Sequence, residues 1–302
     1  MYTIEELVIN FHMTESCNYR CSYCYASWQD MPAASELHRK EGEVKALLST
    51  LAEYFFASPQ LKQQLNYKQV RINFAGGEPM LLGSRFLEAV QFANHLGFTT
   101  SLITNGHFLE PSLLHSLAPS LSMLGISYDT ADQNLAAQIG RLDRKKRWIS
   151  PQQLVGICNQ YRLLNSEGIL KLNTVVNAVN YADDLSDVIG TIQPDKWKLL
   201  RVLPVYDPSS AITLEQYHCY VERHAQFKGI ISEEDNNSMQ HSYLMVNPAG
   251  CFYQNGDAGD GYLLSDPILL VGVETALSQV PFDGDAFIKR YQSIPLHNIT
   301  ES

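Results

Sequence analysis

Two patterns of apolar residues alternate along the first two thirds of the chain. Short runs rich in β-branched and aromatic residues are separated by longer segments in which apolar residues recur every three or four positions. The short runs predict strands and the longer segments predict amphipathic helices. The predicted strands are Leu7–Met13, Val70–Ala75, Thr100–Thr104, Met123–Tyr128, Lys171–Val176 and Leu199–Val205. This regular alternation favours a parallel sheet with helices packed against it.

Helix boundary signals agree with this pattern. The apolar stripes of the predicted helices span residues 44–55, 86–92 and 154–164, with a short connection around 109–117. Ser150 before Pro151 is typical of a helix start, and Gly97 and Gly168 stand where helices should end. Six strand-helix units are too few for a complete eight-stranded barrel. We therefore predict an α/β fold, a partial (βα)6 TIM-like barrel, with its functional groups at the C-terminal ends of the strands.

The last third of the chain has a different pattern. We predict that residues 1–212 form the partial barrel and that residues 213–302 form a C-terminal extension that closes the functional site. The predicted extension contains a helix from Leu214 to His224, a β-hairpin made of Ser242–Val246 and Cys251–Gln254, and two short helices, Val273–Leu277 and Ala286–Tyr291.

Composition narrows the possible partners. The 302 residues carry a formal net charge of -10, which argues against stable binding to nucleic acid or to anionic lipid. An anionic ligand would need a local cluster of lysines and arginines. No apolar run approaches the roughly 18 residues of a membrane span, and the first residues do not resemble a signal peptide. We expect a cytoplasmic protein that does not bind membranes.

Three of the six cysteines, Cys17, Cys21 and Cys24, follow the first predicted strand within eight positions. In a reducing compartment such crowding favours metal binding or catalysis over disulfides. Three thiolates can bind three irons of a four-iron, four-sulfur cluster and leave the fourth iron open to another ligand. Zinc is the alternative metal, but structural zinc usually takes four protein ligands, and no second cysteine pair is present.

The C-x3-C-x2-C spacing, with Tyr23 before the last cysteine, resembles the signature of the radical S-adenosylmethionine (SAM) superfamily. Gly76-Gly77-Glu78-Pro79, after the second strand, resembles the GGEP motif of the same superfamily. The resemblance implies a 4Fe-4S cluster that reduces SAM and generates a 5'-deoxyadenosyl radical. It also implies that SAM is bound by Tyr23, Gly76, Gly77, Glu78, Ser127 and Arg141.

Further stretches resemble the viperin family across most of the chain. They are Met13–Cys21, Ile72–Pro79, Ile126–Asp129, Ile139–Arg141, Lys171–Asn177, Lys196–Lys198, Ser242–Leu244 and Val271–Glu274. Viperins are antiviral enzymes that dehydrate a nucleoside triphosphate, typically CTP, to its 3'-deoxy-3',4'-didehydro form, which terminates viral RNA chains. The resemblance implies a radical SAM lyase of this kind, supplied with electrons by a flavodoxin or a ferredoxin-type protein.

The resemblance also implies a substrate site. Tyr243 matches the proposed hydrogen or proton donor of the family, and the basic triphosphate contacts match Arg71, Lys171, Lys196 and Lys198. Asn73 and Asn173 share a strand face with Arg71 and Lys171 because side chains alternate along a strand. A charge inside an apolar barrel is costly unless it meets a partner, so four cations at strand positions indicate an anionic ligand.

Several differences from the viperin sequences leave open which base the substrate carries and which reaction the protein catalyses. Tyr25–Trp28 differs from the family sequence after Cys24, Ala75 replaces a serine, and the loop Gln254–Gly261 is acidic rather than basic. GTP or UTP could therefore replace CTP. Two alternatives remain, a radical SAM peptide maturase or cyclase, and a non-catalytic nucleotide-binding sensor on the same fold.

Overall fold

The computed structural model describes residues 4–24, 33–58, 61, 65–203, 208–234, 241–255 and 262–292. Tyr25–Trp28 and most of the loop Gln254–Gly261 therefore lie outside the described residues.

All six predicted strands are present. They are β1 (Ile4–His12), β2 (Tyr67–Ala75), β3 (Thr99–Thr104), β4 (Met123–Ser127), β5 (Ile169–Val176) and β6 (Lys196–Arg201). These strands pair in sequence order and are all parallel. The predicted α/β fold class is therefore confirmed. The sixth strand begins at Lys196, three residues earlier than predicted, in a segment where lysines alternate with apolar residues; residues 204 and 205 of the predicted strand lie outside the described residues.

Four more strands extend this sheet at both edges. They are β7 (Ile231–Glu234), β8 (Leu244–Val246), β9 (Cys251–Asn255) and β10 (Tyr262–Pro267). β7 lies parallel to β6, and β8 lies parallel to β1 on the opposite edge. β8 and β9 form the predicted hairpin, and β10 continues it antiparallel. Because β7 to β10 join the same sheet, the proposed boundary after residue 212 remains a prediction.

Ten α-helices are found in the described part of the chain. They are α1 (Glu43–Ala57), α2 (Ser84–His95), α3 (Pro111–Leu117), α4 (Gln133–Ile139), α5 (Pro151–Leu164), α6 (Ser186–Ile192), α7 (Leu214–Arg223), α8 (Ile268–Val271), α9 (Val273–Ser278) and α10 (Gly284–Gln292). The two tail helices predicted from the sequence correspond to α9 and α10. In the described ranges, none of these helices has the length and apolar character needed to span a membrane.

Local capping chemistry explains where several helices begin and end. The Ser150 hydroxyl accepts a hydrogen bond from Gln153 N, and the Gln153 side chain accepts one from Ser150 N, so α5 begins at the predicted cap with a capping box. The same helix ends at Leu164 rather than near Gly168, because Asn165 takes the capping position. Gly168 instead lies in the turn that leads to β5.

Strand register places the predicted substrate residues on one face. Asn10 lies opposite Asn73, Lys171 lies opposite Lys196, and Asn173 lies opposite Lys198. Residues that are paired or two positions apart point to the same side of a sheet. This face is the concave interior of the barrel, whereas the other face packs apolar side chains against the helices, among them Leu47, Leu51 and Phe55 of α1.

Candidate active site

The cysteine loop, residues 13–24, follows β1 and carries all three clustered thiols. None of them is in a disulfide; Cys17 and Cys21 are half-buried, and Cys24 is exposed. The Cys17 sulfur lies 3.4 Å from the Tyr19 backbone nitrogen and 3.7 Å from Asn105 Nδ2, two donors suited to a thiolate. Burial raises the pKa of Cys21 to about 12. A metal is therefore needed to hold this sulfur as a thiolate near neutral pH.

Backbone hydrogen bonds fix one side of the cysteine loop to the end of β2. Gly77 N donates to Thr14 O at 2.7 Å, and Glu78 N donates to Ser16 O at 2.8 Å. A Cβ atom on Gly77 would lie 2.3 Å from Ser16 O, a distance that real side chains do not tolerate. The glycine of the predicted motif thus lets the two backbones touch just before Cys17.

The other side of the loop is fixed to the end of α4. Arg20 N donates to Gly140 O at 3.0 Å, and Ser22 N donates to Ile139 O at 2.9 Å. Gly140 has φ +88°, and a Cβ there would lie 2.0 Å from Arg20 O. The cysteine loop is therefore clamped from two directions by backbone contacts that only glycine permits.

Glu78 is completely buried under the cysteine loop. Its carboxylate accepts hydrogen bonds from Met80 N, Thr104 Oγ1 and Asn105 N, at 3.1, 2.7 and 2.8 Å. Burial raises its pKa to about 7, against the effect of these donors. The contacts join the end of β2 to the end of β3, so Glu78 holds these two strand ends together.

Arg141 forms a buried network with the predicted SAM residues. Its guanidinium donates to the Ser127 carbonyl, to Tyr23 Oη at 3.1 Å and to Asp129 Oδ2 at 3.1 Å. Tyr23 Oη also donates to Asp129, which is fully buried. The structure thus brings Tyr23, Ser127 and Arg141 together, with Asp129 as the counterion that sequence reasoning did not identify.

A cavity beside this network is lined by polar and aromatic side chains. Its walls include Tyr19, Asn105, Tyr128, Arg141 and Trp148. The Tyr128 hydroxyl is buried and makes no hydrogen bond to any described residue. An unsatisfied buried polar group is costly, so this hydroxyl needs a polar partner beside the cysteine loop.

The donor set also fits an iron-sulfur cluster. Among the described residues, no three His, Cys, Asp or Glu side chains converge on a point where one metal ion could bind. In a 4Fe-4S cluster each cysteine binds its own iron, so the three thiols need not converge. Cys17, Cys21 and Cys24 therefore suit a cluster with one open iron better than the zinc alternative.

Below the cysteine loop, the barrel interior contains a chain of polar contacts around Arg71. Arg71 pairs with Glu6 at 2.5 Å and donates to Ser101 Oγ at 2.7 Å. Ser101 donates to Asn73 Oδ1 at 2.6 Å, and Asn73 donates to Asn10 Oδ1 at 2.8 Å. Two predicted substrate residues, Arg71 and Asn73, are thus already held by protein partners.

A second group of contacts lies on the opposite wall of the barrel. Lys198 forms an ion pair with Glu234 and donates to Tyr243 Oη at 3.1 Å. Tyr243 Oη donates to Glu234 Oε2 at 2.7 Å. The predicted catalytic tyrosine and one predicted phosphate contact therefore meet at a buried carboxylate.

Lys171 and Lys196 lie between these two groups on neighbouring strands. Burial, followed by the positive charge of Lys198, holds the pKa of Lys171 well below its usual value. Burial and the charge of Arg71 lower the pKa of Lys196. Lys171 makes no ion pair or hydrogen bond with the described residues, and the same holds for the buried Asn173 Oδ1. An anion here would relieve the repulsion between the lysines, whereas Asn173 Oδ1 is an acceptor and needs a donor such as a hydroxyl.

The two halves of the site lie at different heights in the barrel. Lys171 precedes Val175 by four positions on β5, and Val175 N donates to Asp129 of the Arg141 network. Four strand residues span roughly 13 Å, which leaves space between the lysines and the cysteine loop for a sugar ring.

Sequence reasoning missed several residues that organise this site. They are Glu6, Asn105, Asp129, Gly140 and Glu234. Asp129 and Gly140 lie inside stretches that resemble the family, and this place in the sequence could have identified them. Glu6 and Glu234 offered no comparable signal, since each acts only through a partner on another strand.

Comparison with known proteins gives a consistent result. The family model of the Radical SAM superfamily matches residues 11–176 of this chain. A protein of Pseudoalteromonas ulvae named "S-adenosylmethionine-dependent nucleotide dehydratase" is 54% identical over 98% of this chain and 96% of its own length. A protein of Psychrobacter lutiphocae with the same name is 36% identical, over 97% of both chains. Among solved structures, "Native anSMEcpe with bound AdoMet" has a TM-score of 0.64 at 13% identity, covering 97% of this chain and 85% of that one.

Proposed function

This chain belongs to the radical SAM superfamily and to its family of SAM-dependent nucleotide dehydratases, and on that basis we propose that it removes water from the ribose of a nucleoside triphosphate. The resemblance to viperins is thereby confirmed. The product would be the 3'-deoxy-3',4'-didehydro nucleotide, an antiviral chain terminator. Structural likeness to anSMEcpe at 13% identity shows the fold alone, so it does not favour a peptide maturase.

The cation cluster inside the barrel is the observation that carries this proposal. Arg71, Lys171, Lys196 and Lys198 face two carboxylates, Glu6 and Glu234, in a protein whose net charge is -10. Lys171 has no ion-pair partner among the described residues, so once the lysines are protonated the site holds more positive than negative charge. A triphosphate carries about four negative charges and fits that surplus.

The cluster and SAM, when bound, supply a 5'-deoxyadenosyl radical that can take a hydrogen atom from C4' of the ribose. Cys17, Cys21 and Cys24 would bind the cluster. Tyr23, Gly76, Gly77, Glu78, Ser127 and Arg141 would position SAM directly or by fixing the strand ends. Here Arg141 offers the SAM carboxylate a planar, charged donor.

The substrate residues would contact different parts of the nucleotide, according to their height in the barrel. Lys171 and Lys196 lie deepest and would hold phosphate, with Arg71 and Lys198 adding charge from opposite walls. Asn73 and Asn173 would donate or accept hydrogen bonds one layer above. Tyr243 comes from the proposed C-terminal extension, which supports its role in closing the site.

The remaining partners follow from the chemistry. Forming the radical and completing the product each need one electron, so we expect a flavodoxin or ferredoxin-type donor. The net charge of -10 argues against stable binding of nucleic acid. Such an enzyme would work in the cytoplasm, where nucleoside triphosphates are present.

Anaerobic reconstitution tests the proposal. The protein, with its cluster rebuilt, receives SAM, a reductant and CTP, GTP or UTP in turn. Mass spectrometry should detect 5'-deoxyadenosine together with a triphosphate lighter by one water, and the best substrate identifies the base. Cys24→Ser should abolish both products, whereas Cys219→Ser, at an exposed cysteine far from the loop, should change neither. Cleavage of SAM without any dehydrated triphosphate would contradict the dehydratase assignment, and no cleavage with a full cluster would favour the sensor.

A further inference from the structure

Glu234 is a buried carboxylate whose two oxygens serve two different groups. It is 7% exposed, at the end of β7, and one oxygen forms the ion pair with Lys198. The other oxygen accepts the Tyr243 hydroxyl at 2.7 Å, while Lys198 donates to that same hydroxyl at 3.1 Å. Tyr243 is thus held between an anion and a cation. Its only proton points at the carboxylate.

That orientation matters for the proposed dehydration. When the C3'–O bond breaks, the leaving hydroxyl needs a proton to depart as water. Tyr243 can give this proton only if its hydroxyl hydrogen turns away from Glu234. Without a second proton source, Tyr243 would become a phenolate, which is unfavourable for a group whose ordinary pKa is near 10.

We propose that Glu234 is a positioning residue that fixes the direction of the Tyr243 hydroxyl and replaces its proton during dehydration; this inference rests on the proposed function. With Glu234 protonated, its carboxyl donates to Tyr243 Oη, and the phenol proton is directed to the substrate. The C3'–O bond then breaks, Tyr243 protonates the leaving oxygen, and Glu234 protonates Tyr243. One electron from the flavodoxin or ferredoxin-type donor forms the C3'=C4' bond.

Charge around the pair supports a change of protonation on substrate binding. The charged groups that face Glu234 among the described residues are Lys198 on β6 and Lys171 on β5. These cations favour the carboxylate in the absence of substrate. A triphosphate bound to the same lysines neutralises them, so Glu234 can take up a proton from solvent. After water has formed, the ammonium of Lys198 stabilises the carboxylate that remains.

Two neighbouring glutamates allow a matched test. Glu234→Gln keeps the size of the side chain and its ability to accept from Tyr243, but it removes the transferable proton. Glu233→Gln makes the same change one position earlier, on the exposed face of β7. Each variant is reconstituted with its cluster, and the ratio of dehydrated nucleotide to 5'-deoxyadenosine is measured from pH 6 to 9 with the KM for the triphosphate.

For Glu234→Gln we expect continued cleavage of SAM and a KM within about threefold of the parent. The product ratio should fall roughly 100-fold, the lower end of effects from losing a proton donor. The parent's ratio should decline as pH rises, whereas that of Glu234→Gln should not vary with pH. Glu234→Asp should recover part of the ratio, and Glu233→Gln should match the parent.

A Glu234→Gln enzyme with the parent's ratio and pH profile would overturn the inference. If Glu234→Gln does not fold, Glu234→Asp decides: its shorter carboxyl should reach Tyr243 Oη less well and lower the product ratio, so the parent's ratio in that variant also overturns the inference. Failure of the parent itself to dehydrate any triphosphate would instead overturn the proposed function, and the role of Glu234 with it.

Discussion

Replacing Gly77 by alanine should weaken the cysteine loop through its backbone. The new Cβ would lie 2.3 Å from Ser16 O and 2.4 Å from Glu15 O. Both are backbone atoms, so no flexible side chain can move aside and the loop itself must move. Overpacking of this kind costs about 1 to 3 kcal/mol. Movement would also weaken the hydrogen bonds that Gly77 N and Glu78 N donate, at about 1 kcal/mol each.

We therefore expect the free energy of unfolding to fall by about 3 kcal/mol, and Tm to fall by roughly 6 to 12 °C. The matched control is Gly156→Ala, at an exposed position in α5 with no atom within 4 Å of the added Cβ. A helix favours alanine over glycine by up to about 1 kcal/mol, so this variant should be slightly more stable than the parent.

Two measurements check the prediction. Thermal unfolding followed by circular dichroism gives Tm, and iron and sulfide analysis after reconstitution gives cluster content per chain. Gly77→Ala should lower both values, whereas Gly156→Ala should lower neither. A Gly77→Ala protein with the parent's Tm and a full cluster would refute the role we assign to the close backbone contact.

Three further predictions concern single side chains. Tyr243→Phe should keep 5'-deoxyadenosine formation and lower the yield of dehydrated nucleotide, measured by mass spectrometry; equal yields would remove Tyr243 from the mechanism. Asp129→Asn should cost about 3 kcal/mol in urea unfolding and weaken SAM binding by calorimetry, because it leaves Arg141 buried without its counterion. Burial lowers the pKa of His12 to about 4 from its ordinary 6.5, so stability should be lost as pH falls from 6.5 to 4, by roughly 3 kcal/mol. His12→Asn should flatten that part of the stability profile, and His115→Asn, at an exposed position, should leave it unchanged.

The central strands could be predicted because buried parallel strands are continuous apolar runs. β7 could not be predicted in this way, because its sequence Ile-Ser-Glu-Glu has one apolar residue and becomes a strand only by pairing with β6. Its burial of Glu234 depends on that pairing. The hairpin of β8 and β9 was predictable from its turn at residues 247–250, which is a local feature.

The distinction between local sequence patterns and strand pairing also applies to the site. The cysteine spacing and the glycine motif are local patterns, so the sequence alone identified them. The partner of Arg71 is Glu6, 65 positions away, and its identity depends on the register of β1 against β2. The register also decides that Arg71 and Lys198 have carboxylate partners while Lys171 has none among the described residues.

The double attachment of the cysteine loop also bears on how the protein is made. Cys17, Cys21 and Cys24 leave the ribosome well before Gly140, although the backbone that holds their loop includes Gly140. At ordinary rates of synthesis, on the order of ten seconds separate the two segments. During that time the thiols are unprotected by the fold and open to oxidation. The loop can take its final form only after residue 140 has been translated, and until then its cysteines depend on the reducing power of their surroundings.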